Sequence, residues 1–292
     1  MFRGSMVALV TPFKNGKIDR SGLKKLVRFH IDNNTSAIVP CGTTGESATL
    51  SYDEHKLVID IILEEAKGKI PIIAGTGSNS TWEAVKLTKF ANRKGVQGAL
   101  LICPYYNKPT QRGLYHHFKA IAEEVNIPLI LYNIPSRTGI NMLPETIARL
   151  GRDFKNIVGV KEATGNLDQM IAIKNIAPRN FILISGDDAL TLPILSIGGT
   201  GVISVLANIM PREVEDVVRK FEEGNIKKAR ELNLKLYPLV KTMFVETNPG
   251  PVKTAMGLMG MISSELRPPM FKMSKENEKI LKTTLKKYGL LK

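Results

Sequence analysis

The chain is expected to fold as an α/β protein, a (β/α)8 TIM barrel with a C-terminal helical extension. Three observations predict it. Eight short, β-branched segments recur roughly 20 to 35 residues apart through the first part of the 292-residue chain. The stretches between them have a helical apolar period, and only helical patterns follow the eighth segment. An open doubly wound sheet would use about five to seven strands and a crevice at a switch point.

The strand segments are Met6–Thr11, Ser36–Pro40, Pro71–Gly75, Ala99–Cys103, Pro128–Asn133, Ile157–Glu162, Phe181–Ser185 and Gly201–Val205. Leu23, Leu26, Val27, His30 and Ile31 illustrate the helical spacing in between. Ser51 with Glu54 reads as a capping box, Asp19 and Ser80 or Thr81 as N-caps, and Pro144-Glu145 as a first helical turn. Helices are expected over 211–223, 225–240, 250–259 and 274–289, the first belonging to the barrel. No Gly/Pro/Ser-rich linker intervenes, so the barrel is expected over 1–224 with the extension over 225–292 packed on it.

Composition narrows the function classes. The formal net charge is +14, which suits either an anionic polymer or an enzyme with anionic substrates. The basic residues are spread through most helices with no basic-aromatic stripe, and runs such as KNGK (14–17) and KKAR (227–230) read as solvated faces, so no nucleic-acid partner is expected. No apolar run approaches the ~18 residues of a membrane span, and the N-terminal segment lacks the pattern of a signal peptide. Cys41 and Cys103 are expected to be reduced and buried, and the location cytoplasmic. The four histidines and the carboxylates show no metal-ligand spacing, and there is no dinucleotide fingerprint, so neither a metal nor another cofactor is expected. Trp82, Phe90 and the methionines fit core or interface positions.

In a TIM barrel the active site lies at the C-terminal ends of the strands. Those ends carry Thr11, Gly42–Glu46, Gly75–Asn79, Tyr105–Asn107, Tyr132–Asn133, Lys161–Glu162, Gly186–Asp188 and Ser204, mostly glycines and hydrogen-bonding side chains. Lys161 ends the run Asn156-Ile-Val-Gly-Val-Lys161, where Val158 and Val160 share one face by parity and Gly159 and Lys161 the other. Packed there, the amine would lose solvation and favour its neutral form, which attacks a ketone; the resulting imine is an electron sink. The other lysines read as ordinary surface residues. Tyr132 stands one strand earlier, where a phenol can relay a proton or serve as a buried structural group. The small loop Gly42-Thr-Thr-Gly-Glu46 offers backbone N–H groups and hydroxyls to a carboxylate but lacks the lysine of a phosphate loop. Arg137, in Pro135-Ser-Arg-Thr-Gly139, could bind a carboxylate bidentately or lie free on a surface loop.

With these residues in place, the chain resembles the dihydrodipicolinate synthase family, a branch of the pyruvate-dependent class I aldolase and N-acetylneuraminate lyase superfamily. The resemblance runs from Met1 to Lys292, most strongly in CGTTGESATL (41–50), IAGTGSNST (73–81), CPYYNKPTQRGLYHHFKAIAE (103–123), LYNIPSRTG (131–139), GVKEATGN (159–166), SGDDAL (185–190) and GVISVLAN (201–208). It implies that Lys161 forms a Schiff base with pyruvate, whose carboxylate is held by Thr43 and Thr44. Thr44 would also link Tyr132 to Tyr106 in a proton relay, with Tyr106 crossing into the neighbouring subunit of a tight homodimer, itself usually half of a homotetramer. Arg137 would hold the carboxylate of L-aspartate 4-semialdehyde, while Gly186 and the backbone carbonyl of Ile203 line the pyruvate site. The implied activity gives 4-hydroxy-2,3,4,5-tetrahydrodipicolinate, at the entry to diaminopimelate and lysine biosynthesis.

The resemblance further implies an L-lysine effector site built from Ser47, Ala48, His55, Asn79, Glu83 and Tyr105, with Tyr52 where lysine-sensitive relatives carry a histidine. Two alternatives stay open at this level. One is another pyruvate-dependent aldolase, of the sugar-acid or N-acetylneuraminate lyase type. The other is a non-catalytic barrel binding anionic partners.

Overall fold

The computed structural model describes residues 2–292. Each of the eight expected segments overlaps a strand, most of them shorter than the apolar run that predicts it and two of them, at Gly4 and Gly98, beginning earlier. The chain enters through β1 (Gly4–Ala8), makes the two-residue strands β2 (Phe13–Lys14) and β3 (Lys17–Ile18), and continues into α1 (Arg20–Asp32). It then alternates through β4 (Ala37–Val39), α2 (Tyr52–Ala66), β5 (Ile73–Gly75), α3 (Thr81–Lys94), β6 (Gly98–Ile102), α4 (Gln111–Ala122) and β7 (Leu129–Asn133). After the single-turn α5 (Pro135–Thr138) come α6 (Pro144–Asp153), β8 (Ile157–Glu162), α7 (Leu167–Ile176), β9 (Ile182–Ser185), α8 (Thr191–Ser196), β10 (Gly201–Ser204) and α9 (Pro211–Glu222). Helices α10 (Ile226–Thr242), α11 (Gly250–Leu258) and α12 (Lys275–Lys287) complete the chain.

The eight long-connection strands pair in parallel in the order β4-β1-β10-β9-β8-β7-β6-β5, and a bridge between Ile38 and Ile72 joins the two ends into a barrel. Closure leaves no open sheet edge. The helix starts follow the local chemistry read from the sequence. Ser51 and Glu54 form the reciprocal capping box of α2, Asp19 caps α1, Ser80 caps α3, and Pro144 occupies the first turn of α6.

The run Lys14–Lys17 is solvent-exposed, as its composition predicts, and forms the tip of the antiparallel β2–β3 hairpin. Asn15 and Gly16 both have positive φ, at 53° and 73°, which is the turn chemistry of an Asn-Gly hairpin. Of the core and interface positions expected for Trp82, the core is excluded: it is 64% exposed in the chain, with the Lys86 ammonium 3.6 Å from its ring centroid. Both cysteines are buried free thiols. Among the described residues, no helix is long and apolar enough to cross a membrane.

Two shells of apolar side chains fix the architecture. Met6, Val39, Ile73, Leu100, Ile130, Ile184 and Ile203 fill the barrel interior, while residues of opposite parity pack beneath the helices, as Leu101, Leu131, Val160 and Leu183 do with Phe118 and Ile147. One strand departs from simple alternation. In the β7–β8 ladder Leu129 faces Ile157 but Ile130 faces Gly159, so one extra residue, Val158, is inserted. Val158 therefore packs with the interior cluster while Val160 packs outside, contrary to their assumed shared face. The bulge lies below Lys161 and leaves its inward orientation intact.

Gly159 is what lets β9 approach this bulge. A Cβ there would lie 2.1 Å from Ile182 Cγ1 and 2.5 Å from the Ile182 carbonyl oxygen. Gly159→Ala is thus expected to lose about 2–3 kcal/mol by overpacking, because backbone cannot move aside as a side-chain tip can. Urea unfolding at neutral pH measures this; a midpoint equal to that of wild type would contradict the close approach.

Candidate functional site

The register of the β7–β8 ladder sets Tyr132 beside Lys161 and Asn133 beside Glu162. Alternation then sends the first pair into the barrel mouth and the second to the outer face. On the outer face the buried Glu162 carboxylate accepts hydrogen bonds from the Thr164 N–H (3.0 Å), Gln169 Nε2 (3.2 Å) and Asn133 Nδ2 (3.2 Å). Burial pushes its carboxyl up, opposed by these donors. This network fixes the end of β8 from behind Lys161.

Inside the mouth, Lys161 is 6% exposed, and its ammonium position lies 4.2 Å from the centroid of the Tyr132 ring. Burial lowers its pKa to about 7; Asp188 opposes the shift and the Arg137 charge adds to it. Tyr132 is pushed up to about 12, again by burial first, with Arg137 and a hydrogen bond to the Thr43 side chain acting the other way. Near neutral pH the site therefore holds a substantially neutral amine beside a fully protonated phenol.

A cavity of about 50 Å³ joins these groups. Its walls include Thr43, Thr44, Tyr132, Arg137, Lys161, Gly186 and Ile203. Every residue that the sequence reading assigned to pyruvate or semialdehyde thus faces one small space, drawn from six separate strand ends or loops. The loop that carries the threonines is held in a tight turn. The Glu46 N–H donates to the Thr43 carbonyl (3.0 Å), and Thr11 Oγ1 donates to the Gly45 carbonyl (2.7 Å). Gly42 has open space where a Cβ would stand, whereas Gly45 is pressed against Cys41 N at 3.0 Å and Leu9 O at 3.1 Å. Only Gly42, then, leaves backbone open to a ligand; Gly45 serves close packing.

Tyr106 is not brought to this cavity. It is 89% exposed and has a φ of 72°, an uncommon conformation for an aromatic residue. The residues that the resemblance assigns to an effector form a second grouping. Ser47, Ala48, Tyr52, His55, Glu83 and Tyr105 line a cavity of about 510 Å³ that also touches Thr43, Tyr132 and Arg137. Asn79 is not in that wall; its carbonyl accepts a hydrogen bond from Asn107 Nδ2 at 2.9 Å. The Tyr52 hydroxyl is buried without a partner, and burial together with the Glu83 charge raises its pKa.

Three side chains near the mouth were given no role from the sequence, although Asp188 falls in a strand end named there. Asn248, between α10 and α11, donates from Nδ2 to Thr44 Oγ1 (3.0 Å), and its carbonyl accepts from Arg137 (3.1 Å). The position falls between the helices expected over 225–240 and 250–259, but nothing local placed it over the barrel. Asp188 is buried, receives the Ser204 hydroxyl and the N–H groups of Val205 (2.9 Å) and Leu206 (3.3 Å), and acts electrostatically on Lys161. Lys253, expected at the surface like most lysines, is fully buried against Glu46 at 2.6 Å.

A closed barrel presenting a desolvated lysine and a protonated tyrosine at its C-terminal mouth is the machinery of a class I, imine-forming lyase. The chain belongs to the dihydrodipicolinate synthetase family, whose model matches residues 1–288. It is 55% identical, over the full length of both chains, to the 4-hydroxy-tetrahydrodipicolinate synthase of a Sulfurihydrogenibium species. The crystal structure of dihydrodipicolinate synthase from Aquifex aeolicus superposes with a TM-score of 0.98 at 52% identity, covering 99% of each chain. That of the chloride-inhibited dihydrodipicolinate synthase from Acinetobacter baumannii, complexed with pyruvate, gives 0.97 at 44% identity over all of both chains.

The buried amine has a cost that depends on pH. Its folded pKa, about 7, lies below the 10.5 of a free lysine. The unfolded chain therefore binds more protons between these values, and wild-type stability rises with pH across that window. Lys161→Met is expected to be more stable than wild type by about 2–4 kcal/mol below pH 7, the gain shrinking toward pH 10. Denaturant unfolding at several pH values reads this out, and a gain that grew with pH would contradict a depressed pKa.

Proposed function

We propose that this enzyme condenses pyruvate with L-aspartate 4-semialdehyde to give 4-hydroxy-2,3,4,5-tetrahydrodipicolinate, the first committed step toward diaminopimelate and lysine. The observation that carries the reading is the near-neutral, buried amine of Lys161 facing Thr43, Thr44, Tyr132 and Arg137 across one cavity. Full-length relatives that carry the synthase name at more than half identity support the substrate pair.

In this reading Lys161 attacks the ketone of pyruvate and water leaves. The carboxylate rests on the Thr43–Thr44 loop, with Gly186 and the Ile203 carbonyl at the walls. Loss of a methyl proton gives an enamine, which attacks the aldehyde carbon of the semialdehyde. Its amino group then attacks the imine carbon, closes the ring and frees Lys161. Tyr132 relays protons through its raised-pKa phenol, and Arg137 binds the second carboxylate. The positive charge of the chain fits two anionic substrates. The barrel over 1–224 carries the imine chemistry, and the extension over 225–292 supplies Asn248. Two buried free thiols fit a reducing compartment, and the reading places the enzyme in the cytoplasm.

The relay is extended by Tyr106 from a second copy of the chain, in a homodimer that pairs again into a homotetramer. The support is an aromatic side chain that its own chain leaves exposed in a left-handed backbone conformation, next to the mouth-forming segment Tyr105–Asn107. The larger cavity, with Glu83 and the unpartnered Tyr52 hydroxyl, fits the ammonium group and polar atoms of an L-lysine effector.

A coupled assay with pyruvate, the semialdehyde, NADPH and the next reductase tests the reaction. NADPH oxidation should require the semialdehyde, vanish in Lys161→Ala, and show a KM for the semialdehyde raised at least about tenfold in Arg137→Ala. Added L-lysine should slow wild type and spare Glu83→Ala. A borohydride-trapped pyruvate adduct without turnover would mean another aldehyde is the acceptor.

Subunit mixing tests the composite site. Lys161→Ala and Tyr106→Ala chains, each nearly inactive, should recover about one quarter of wild-type activity when co-assembled, since half the random dimers have one intact site of two. No recovery would mean that Tyr106 serves its own chain, and an active Tyr106→Ala chain that it serves none.

A further inference from the structure

The Glu46–Lys253 pair lies outside the small cavity, at the base of the loop that carries Thr43 and Thr44, with Glu46 at the wall of the larger one. Lys253 Nζ donates to Glu46 Oε1 (2.6 Å) and to the Thr11 carbonyl (2.9 Å), and it stands 4.2 Å from the centroid of the Phe13 ring. The second Glu46 oxygen accepts the Arg267 N–H at 3.1 Å. The Arg267 guanidinium then reaches the carbonyls of Thr49 (3.0 Å) and Gly16 (2.8 Å) and pairs with Glu54 at 2.6 Å. Two residues of the C-terminal segment thereby grip the loop, the hairpin and the end of β1 together.

The grip reaches the substrate-facing residues through short connections. Glu46 donates its own N–H to the Thr43 carbonyl, and Asn248, five residues before Lys253, donates to Thr44 Oγ1. Cys41 and Glu46 bound the loop with φ values of 55° and 53°. Such conformations cost about 1–3 kcal/mol each and persist only where surrounding contacts over-determine them. Fold stability by itself gives no reason for an ion pair here, because apolar residues of similar size often replace a buried pair with little or no loss. Fixing two oxygen atoms from different segments at one point is something an apolar pair does not reproduce.

We infer that Glu46 and Lys253 are positioning residues for the pyruvate carboxylate, through which the docked C-terminal helices set the height of Thr43 and Thr44 over Lys161. The inference rests on the pyruvate reading above. Its test uses the full-length enzyme and three variants: the double variant Lys253→Met/Glu46→Gln, Glu46→Gln alone, and, as a control, Lys89→Met in the exposed Lys89–Glu124 bridge.

The readouts are urea unfolding, the pyruvate concentration giving half-maximal borohydride trapping on Lys161, and the split between KM and kcat. The double variant should unfold close to wild type yet need about tenfold more pyruvate, with kcat at saturating pyruvate falling less than KM rises. Glu46→Gln, which preserves shape and loses the charge, should shift by about threefold, and the control not at all. A folded double variant with wild-type pyruvate dependence overturns the inference. If the double variant fails to fold, a wild-type dependence in Glu46→Gln does so instead. Failure of wild type itself to trap pyruvate would sink the functional reading, a result distinct from either.

Discussion

Desolvation of the Lys161 amine is the constraint around which the molecule is arranged. An ammonium in water is a poor nucleophile, and lowering its pKa to about 7 requires removing solvent from nearly all of its surface. One strand cannot do this. The closed ring of eight strands supplies an apolar interior beneath the amine, the Tyr132 ring covers one side, and the threonine loop covers another. Asp188, buried beside the amine, limits the depression of the Lys161 pKa. The site thus balances burial, which favours the neutral amine, against a carboxylate that favours its charged form.

The helices beyond the barrel are part of this arrangement. A barrel mouth built only from strand-end loops would leave the Gly42–Glu46 turn bounded by two left-handed residues with little to hold them. Asn248, Lys253 and Arg267 all come from the last fifth of the sequence, and all bond to that turn or its flanks. Asn248 joins two of its partners at one point, donating to Thr44 Oγ1 and accepting from Arg137.

The two cavities divide the polar residues of the mouth by environment. The small one encloses an amine and a phenol among residues of six barrel strands, and suits a compact keto acid. The large one opens between Glu83, Tyr52 and Tyr105 and shares Thr43, Tyr132 and Arg137 with the small one. A ligand in the larger space therefore touches side chains that also face Lys161. Physical contiguity of this kind gives an effector a direct route to the site, with no need for motion through the barrel core.

The sequence by itself determined the periodic part of the protein. Eight β-branched segments, their capping residues and their spacing specify a parallel barrel because each is a local property of a few adjacent residues, and the barrel rule then turns strand ends into a site containing Lys161, Tyr132 and the threonine loop. Tertiary structure decided what depends on residues meeting from far apart. The bulge at Val158 exists only in the pairing of β8 with β7, so parity alone misassigned that residue. Lys253 looks like any helical lysine until the fold buries it against a carboxylate 207 positions earlier, and Asn248 looks like a turn residue until it meets Thr44. Local sequence encodes propensity and period, whereas burial and charge pairing are set by whichever distant groups the closed fold brings into contact.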